Sequence, residues 1–397
     1  MRGIDHDLTA TRPDYDGGSI VNLMTSIGQR FGLDEDRFAY APCRKLSADT
    51  FARARRIALV VVDGLGDELL AHVGQDSTLR RAQTATLTSV YPPTTASAVT
   101  TFMSGLAPQQ HGLTGWFMHF RQLGTVAAVL PFITRFGREP LSATGASLDQ
   151  VVDAPGFGAR IACRSQMLQP AHLADSDFSR LLGTGSDRRG YGSLEDFCAR
   201  IESFCKGQTE SEFLYAYWPE LDTTAHLAGP SSTQVADHYQ SLDAALAPLL
   251  DIARAHDTLL LITADHGFID SGANERIDIE NHPELQTMLT LPLCGEPRSA
   301  YAYVRSSCVK AFEHYIESEL GHAIEIQPSE ALINDGWFGP GPAHPELPAR
   351  VGDYVLMMRD RYTLRDLVAG ERDMRLLGVH GGLSRAEQIV PLITSHS

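Results

Sequence analysis

The sequence predicts an α/β fold: a doubly wound, mostly parallel central sheet with helices on both faces, plus an inserted α+β lid or cap. Three observations carry this prediction. The runs Ile57–Val62, Phe213–Trp218 and Leu259–Thr263 are apolar without alternation, as strands are when a sheet is covered on both faces. Between the last two, Val235, Tyr239, Leu242, Leu246, Leu249, Leu250 and Ala253 recur at helical spacing, so a helix joins one buried strand to the next. Each apolar run also stops abruptly at polar residues: Asp63-Gly64, Pro219-Glu220-Leu221-Asp222 and Ala264-Asp265-His266-Gly267. Ligands of open α/β sheets bind beyond the carboxyl ends of the strands.

The remaining elements follow in chain order. Ile20, Leu23, Met24, Ile27 and Phe31 predict an amphipathic helix before the first strand. Pro92-Pro93 enforces an extended entry, after which Thr94 or Thr95 opens a helix of small and apolar residues, and Gly105 stands where it would stop. Residues 116–205 read partly as a lid or insertion, with a Gly/Arg/Ser-rich loop at Gly183–Ser193. Pro248 is placed to kink or split the helix that precedes the third run. Residues 275–350 read as a small α+β cap: strand Ala300–Val304, helix Val309–Leu320, strand Ala323–Ile326. The turn-rich Phe338–Pro348 then returns the chain to a last core strand at Tyr354–Met358. The catalytic core is thus expected from residues 1–115, 206–274 and 351–397.

Composition narrows the function. The chain has 397 residues, with 33 Lys+Arg against 49 Asp+Glu, a formal charge of −16 and 43% apolar residues. That is a globular composition. It lacks the basic excess that a nucleic-acid or anionic-membrane binder needs. No apolar run reaches the roughly 18–20 residues of a membrane span. The polar amino terminus has no secretory core, and the cysteines at 43, 163, 198, 205, 294 and 308 form no CxxC pair. Both features predict a cytoplasmic protein with free thiols. Oligomeric state leaves no mark on the sequence.

The ionisable residues at the strand ends are a chemical set. Asp63, Asp222, His226, Asp265 and His266 follow buried strands, and His380 lies between glycines in GVHGG. Carboxylates and imidazoles converging on one sheet edge suit zinc, with manganese or iron as alternatives. A hydroxyl at the amino end of the helix opened by Thr94 or Thr95 would sit beside free amides and the positive end of a helix dipole. That is a place to hold a phosphate and attack it. Read one at a time, these residues have plainer roles: a turn aspartate, an N-cap threonine, a core histidine. His111 reads as a hydrogen-bonded structural residue, Arg188-Arg189 as a solvated pair, and Trp218 as packing beneath the site.

The segments VVVDGLG (60–66), PPTTASAVTTFMSGLAPQQHGLTGW (92–116), ELDTTAHLAGP (220–230), TADHGF (263–268) and HGGLSRAEQIVPLI (380–393) resemble the alkaline phosphatase superfamily. Within it they are most similar to the type I phosphodiesterase/nucleotide pyrophosphatase branch. The resemblance implies two divalent metal ions. One would be held by Asp63, Thr95, Asp265 and His266, and the other by Asp222, His226 and His380. It also implies Thr95 as nucleophile, ten residues before Gly105, with Thr94 as the fallback, and a phospho-threonine intermediate. The activity implied is hydrolysis of phosphate diesters or nucleotide pyrophosphates, small phosphate esters being the substrates. A phosphomonoesterase or phosphonate-ester hydrolase with the same ligands is the sibling reading, and a catalytically silent binding protein of this fold is the non-enzyme one. A sulfatase is disfavoured because no Cys/Ser-x-Pro-x-Arg stands at the nucleophile. A cofactor-independent phosphoglycerate mutase is disfavoured because its nucleophile is a serine. One departure stands out: where nucleotide pyrophosphatases carry an Asn, four residues after the HG dipeptide, this chain has Trp116. Trp116 and Phe117 are then either an aromatic wall for the leaving group or part of the lid core.

Overall fold

A computed structural model of the chain describes residues 4, 6–33, 40–208, 211–272 and 274–395. Its centre is a seven-stranded sheet in the order Gln83–Thr88, Ile389–Thr394, Thr258–Thr263, Arg56–Val62, Glu212–Trp218, Arg164–Pro170, Ser186–Tyr191. Arg56–Val62 runs parallel to both its neighbours, and Ile389–Thr394 is antiparallel to both of its own. All three unalternating apolar runs are strands of this sheet. Every residue of Arg56–Val62, Glu212–Trp218 and Thr258–Thr263 is buried, so both faces are covered. The helices Leu194–Cys205 and Thr233–Ala255 pack together, as do Ile20–Arg30 and Thr95–Ser104. The helix Ile20–Arg30 is buried from Ile20 through Gly28; its polar Asn22 is satisfied by the carbonyls of Tyr15 (2.9 Å) and Ala41 (2.8 Å). The amphipathic pattern therefore concealed a core helix. Thr233–Ala255 remains a single helix through Pro248.

A second, antiparallel sheet of seven strands lies beside the first: Ile324–Pro328, Tyr354–Met358, Ser299–Ala302, Cys294–Glu296, Phe117–Phe120, Thr125–Ala128, Ile133–Thr134. The segment after Trp116 and the segment after residue 275 join here through the single pair Gly295↔Phe117. Two expectations need correcting. Tyr354–Met358 is not a core strand; it pairs with Ser299–Ala302 and Ile324–Pro328, its apolar run being buried in this second layer. Gly183–Ser193 is not a loop, because Ser186–Tyr191 is the edge strand of the central sheet, and one-sided pairing tolerates its polar composition. Its Arg188 and Arg189 pair with Asp175 (3.5 Å) and Asp187 (2.6 Å). All six cysteines are free thiols. No described helix is long and apolar enough to cross a membrane. Residues 1–3 and 5 of the polar amino terminus lie outside the described residues.

Candidate active site

The carboxyl ends of three adjacent central strands deliver three acids to one place. Arg56–Val62 ends at Asp63, Thr258–Thr263 is followed by Ala264-Asp265-His266, and Glu212–Trp218 leads into the helix Glu220–Ala228, which carries Asp222 and His226 one turn apart. The strand ends approach closely because side chains are missing where loops meet. Gly64 adopts φ +76°, and a Cβ at Gly267 would lie 2.0 Å from the Ala386 carbonyl. His380 enters from the short strand Gly378–Val379, which pairs with Ile269–Asp270 just beyond Phe268.

The three histidines are oriented in the same way. His266 Nδ1 lies 3.1 Å from the Gly267 carbonyl, His226 Nδ1 2.8 Å from the Gly378 carbonyl, and His380 Nδ1 3.2 Å from the Pro93 carbonyl. A carbonyl only accepts, so each Nδ1 carries the proton and each Nε2 presents a bare lone pair. His266 Nε2 is 3.3 Å from Asp63 Oδ1, 3.5 Å from Asp265 Oδ2 and 3.3 Å from Thr95 Oγ1. His226 Nε2 is 3.4 Å from Asp222 Oδ1, and His380 Nε2 is 3.9 Å from the same oxygen. His226 and His380 turn their Nε2 atoms on each other at 3.2 Å. Two lone pairs do not attract. The rings of His266 and His380 stack at 3.7 Å, and Phe268 packs its ring near edge-on against all three imidazoles.

The acids show the same unmet demand. Asp63 Oδ1, Asp222 Oδ1 and Asp265 Oδ2 are buried with no hydrogen-bond partner. Their other contacts hold them in place: Tyr217 OH donates to Asp63 Oδ2, and Asp265 Oδ1 accepts from the amides of Gly64 (3.1 Å) and His266 (3.0 Å). Burial pushes the Asp63 carboxyl well above its ordinary value, with the charges of Asp222 and Asp265 adding to the effect. Burial also raises Asp222, against the opposing pull of His226 and His266. His380 is held well below its ordinary value by burial and then by the neighbouring His266 and His226. Each unpaired buried carboxylate costs several kcal/mol. Orphaned oxygens facing bare nitrogens are a donor set that fits divalent cations, and the tight groups Asp63/Asp265/His266 and Asp222/His266/His380 meet around His266.

The two threonines differ sharply. Thr94 is the N-cap of the helix Thr95–Ser104, 1% exposed, and its hydroxyl donates to Glu296 Oε1 at 2.6 Å instead of capping the helix. Thr95, the first helical residue, is the one member of that helix left partly exposed, with its hydroxyl at His266. Gly105 closes the helix with φ +73°. Trp116 is 38% exposed, and its amide donates to Glu296 Oε1 at 2.7 Å. Phe117 is half-buried in the second sheet beneath the Arg135 guanidinium, 4.2 Å from the ring centroid. His111 is buried, with Nδ1 accepting from the Leu113 amide (3.1 Å) and Nε2 beside Thr101 Oγ1 (3.3 Å); burial holds it down at about 3. Trp218 stacks on Tyr191 at 5.4 Å.

Sequence reasoning missed Tyr217 and Glu296. Tyr217 lies in register with Val61 on the neighbouring strand, so its position at the strand end was a usable signal. Glu296 arrives from the second sheet, about 200 residues from Thr94 in the chain, and no local pattern announced it.

Known proteins share this architecture. Murine ectonucleotide pyrophosphatase/phosphodiesterase 5 superposes with a TM-score of 0.62 at 18% identity, over 85% of this chain and 87% of that one. An inactive variant of that protein has been solved in complex with AMP. Phosphonoacetate hydrolase from Sinorhizobium meliloti 1021, in complex with phosphonoformate, superposes with a TM-score of 0.63 at 18% identity, over 86% and 90% of the two chains. These likenesses establish the fold. The sequence itself matches the type I phosphodiesterase/nucleotide pyrophosphatase family across residues 57–383, most of its length, and the chain belongs to that family of hydrolases.

Proposed function

We propose that the chain hydrolyses phosphate diesters or nucleotide pyrophosphates with Thr95 as nucleophile. One observation carries this reading: three buried carboxylate oxygens without donors face histidine nitrogens without protons, and the Thr95 hydroxyl lies at their edge. Asp63, Thr95, Asp265 and His266 would hold one divalent cation, and Asp222, His226 and His380 a second, zinc being the best match to the mixed nitrogen and oxygen donors. When bound, such cations lower the pKa of a coordinated hydroxyl and neutralise charge on a phosphoryl group.

The chain's own residues supply the rest. The amino end of the helix Thr95–Ser104 offers amides with no carbonyl partner to a phosphoryl oxygen. The Thr95 oxygen attacks phosphorus, the bond to the leaving oxygen breaks, and the phosphoryl group is carried as phospho-Thr95. Water then cleaves that ester and restores the hydroxyl. Trp116, the exposed aromatic at the site's border, walls the leaving group, and Phe117 backs it. Charge favours a diester: three aspartates and an ionised Thr95 balance two divalent cations, so the metal ligands themselves present no net charge to a monoanion. Nothing among these residues adds the positive charge that a dianionic monoester would want.

The test compares bis-p-nitrophenyl phosphate with p-nitrophenyl phosphate in zinc- or manganese-loaded protein. Expected are about two ions per chain, diester preference, loss of turnover with chelator, and loss in Thr95→Ala. Monoester preference would move the assignment to the phosphomonoesterase sibling. Activity that survives in Thr95→Ala but is lost in Thr94→Ala would transfer the nucleophile to Thr94. Failure to take up metal would overturn the proposal and leave a binding protein of this fold.

A further inference from the structure

Glu296 ends the strand Cys294–Glu296 of the second sheet, and its side chain reaches the residue next to Thr95. Its Oε1 accepts from Thr94 Oγ1 at 2.6 Å and from the Trp116 amide at 2.7 Å. Its Oε2 takes no hydrogen bond from the described residues, and the residue is only 7% exposed. The carboxyl therefore sits at the amino end of the helix that begins with Thr95, where an incoming phosphoryl group would place its oxygens. No cationic side chain among the described residues is bonded to it. The buried arginine two residues on, Arg298, is committed to Glu387 at 2.9 Å and 3.1 Å. Among the described residues, a hydroxyl and an amide alone hold a charge that water screens poorly.

We infer that Glu296 is a specificity-determining residue whose buried negative charge, one residue from Thr95, penalises dianionic phosphate monoesters relative to monoanionic diesters. The inference rests on the phosphoester-hydrolase reading above. Burial pushes the Glu296 carboxyl up to about 7, against the hydrogen bonds from Thr94 and Trp116 and the nearby His266, while Asp222 adds to the rise. The geometry also separates two jobs. The isosteric Glu296→Gln keeps an acceptor for Thr94 and Trp116 and removes only the charge. Glu296→Asp keeps the charge and strains the contacts.

The experiment uses the full metal-loaded chain at about pH 8.5, well above an ordinary carboxylate pKa. The ratio of monoester to diester kcat/KM is measured for p-nitrophenyl phosphate and bis-p-nitrophenyl phosphate, and inorganic phosphate binding is measured by calorimetry. Glu296→Gln is expected to raise the ratio about tenfold or more, the size Coulomb's law gives for one extra unit charge several ångströms away at an effective dielectric of about 20, and to tighten binding of dianionic phosphate by more than that factor. Glu296→Asp is expected to keep the wild-type ratio. An equal fall for both substrates in Glu296→Gln would reduce Glu296 to a clip for Thr94 and Trp116, and the inference would be wrong. It would also be wrong if the ratio rose equally in Glu296→Asp or moved in neither variant. If the wild type hydrolyses neither ester yet Glu296→Gln still tightens phosphate, the hydrolase reading falls and the charge effect stands. If phosphate binding is unmoved as well, both fall.

Discussion

Tyr217 shows how much a site owes to a residue that touches no substrate. Its hydroxyl holds Asp63 Oδ2 and leaves Asp63 Oδ1 free to face His266. Tyr217→Phe removes one oxygen and leaves the ring in place. If Asp63 holds a metal as proposed, the expected result is a 10- to 100-fold loss of metal affinity, the usual effect of removing a partner of a ligating group, read by competition with a chromogenic chelator. The same scale shows what the sequence could and could not reveal. Asp63, Asp222, His226, Asp265, His266 and His380 were legible because each follows a buried strand or a glycine turn, and strand ends are where this fold collects its chemistry. Thr95 over Thr94 rested on resemblance alone; the side-chain directions separate them, since one hydroxyl faces His266 and the other a buried carboxyl. Glu296 was illegible because its partners, Thr94 and Trp116, lie 202 and 180 residues away in the chain.

Among the elements, the amino-terminal strap makes a testable contribution. Residues from His6 to Thr11 run along the turn that follows His380: the amides of Arg385 and Ala386 donate to the carbonyls of Thr9 (2.8 Å) and Asp7 (3.1 Å), and the Thr11 amide donates to Leu383 (2.7 Å). His6 anchors the strap between Glu68 (2.5 Å) and Asp270 (3.0 Å). Burial pulls the His6 pKa down, yet the hydrogen bonds and charges of Asp270 and Glu68 prevail and raise it from 6.5 to about 9. The folded value exceeds the unfolded one, so the stabilisation is fully present below about 6.5 and is lost as pH rises through about 9. The wild type should therefore lose more unfolding free energy between pH 6 and pH 9.5 than His6→Gln, as measured by urea titration at both pH values. Equal losses would remove His6 from the balance. Elements were legible where they were long, apolar and buried. Gln83–Thr88 and Ser186–Tyr191 escaped because edge strands need only one covered side. Ile389–Thr394 escaped because Pro391 argues against an interior strand, although it pairs there with Thr86.

For the whole molecule, the question is what locks the second sheet onto the first. Arg298, from the turn between two strands of the second sheet, forms a two-pronged pair with Glu387 beside the last core strand. Glu387 also accepts from the Gly382 amide (2.7 Å) and from Ser384 (2.6 Å), and Ser299 donates to the Gly381 carbonyl (2.6 Å). The glycine turn behind His380 is thus gripped from the second sheet. Arg298→Met leaves Glu387 buried without its partner and should cost about 3–5 kcal/mol, whereas Arg200→Met, which breaks the exposed pair with Asp196, should cost under about 1 kcal/mol. Urea midpoints of the two variants decide it; comparable values would mean the inter-sheet pair carries no special share. Only the broad plan of this assembly could be read in advance, because the sheets are held together by side chains far apart in the chain, such as Arg298 on Glu387 and Ser299 on the Gly381 carbonyl.

The position of Ile389–Thr394 in the sheet order also sets a schedule. This strand lies between Gln83–Thr88 and Thr258–Thr263, yet it leaves the ribosome after both. Until Ile389–Thr394 has emerged, Thr258–Thr263 keeps an open edge and Gln83–Thr88 has no strand to join. The sheet is therefore completed only at the end of the chain, although five of its strands can pair before then. Truncation before Ile389 removes an interior plank of the sheet.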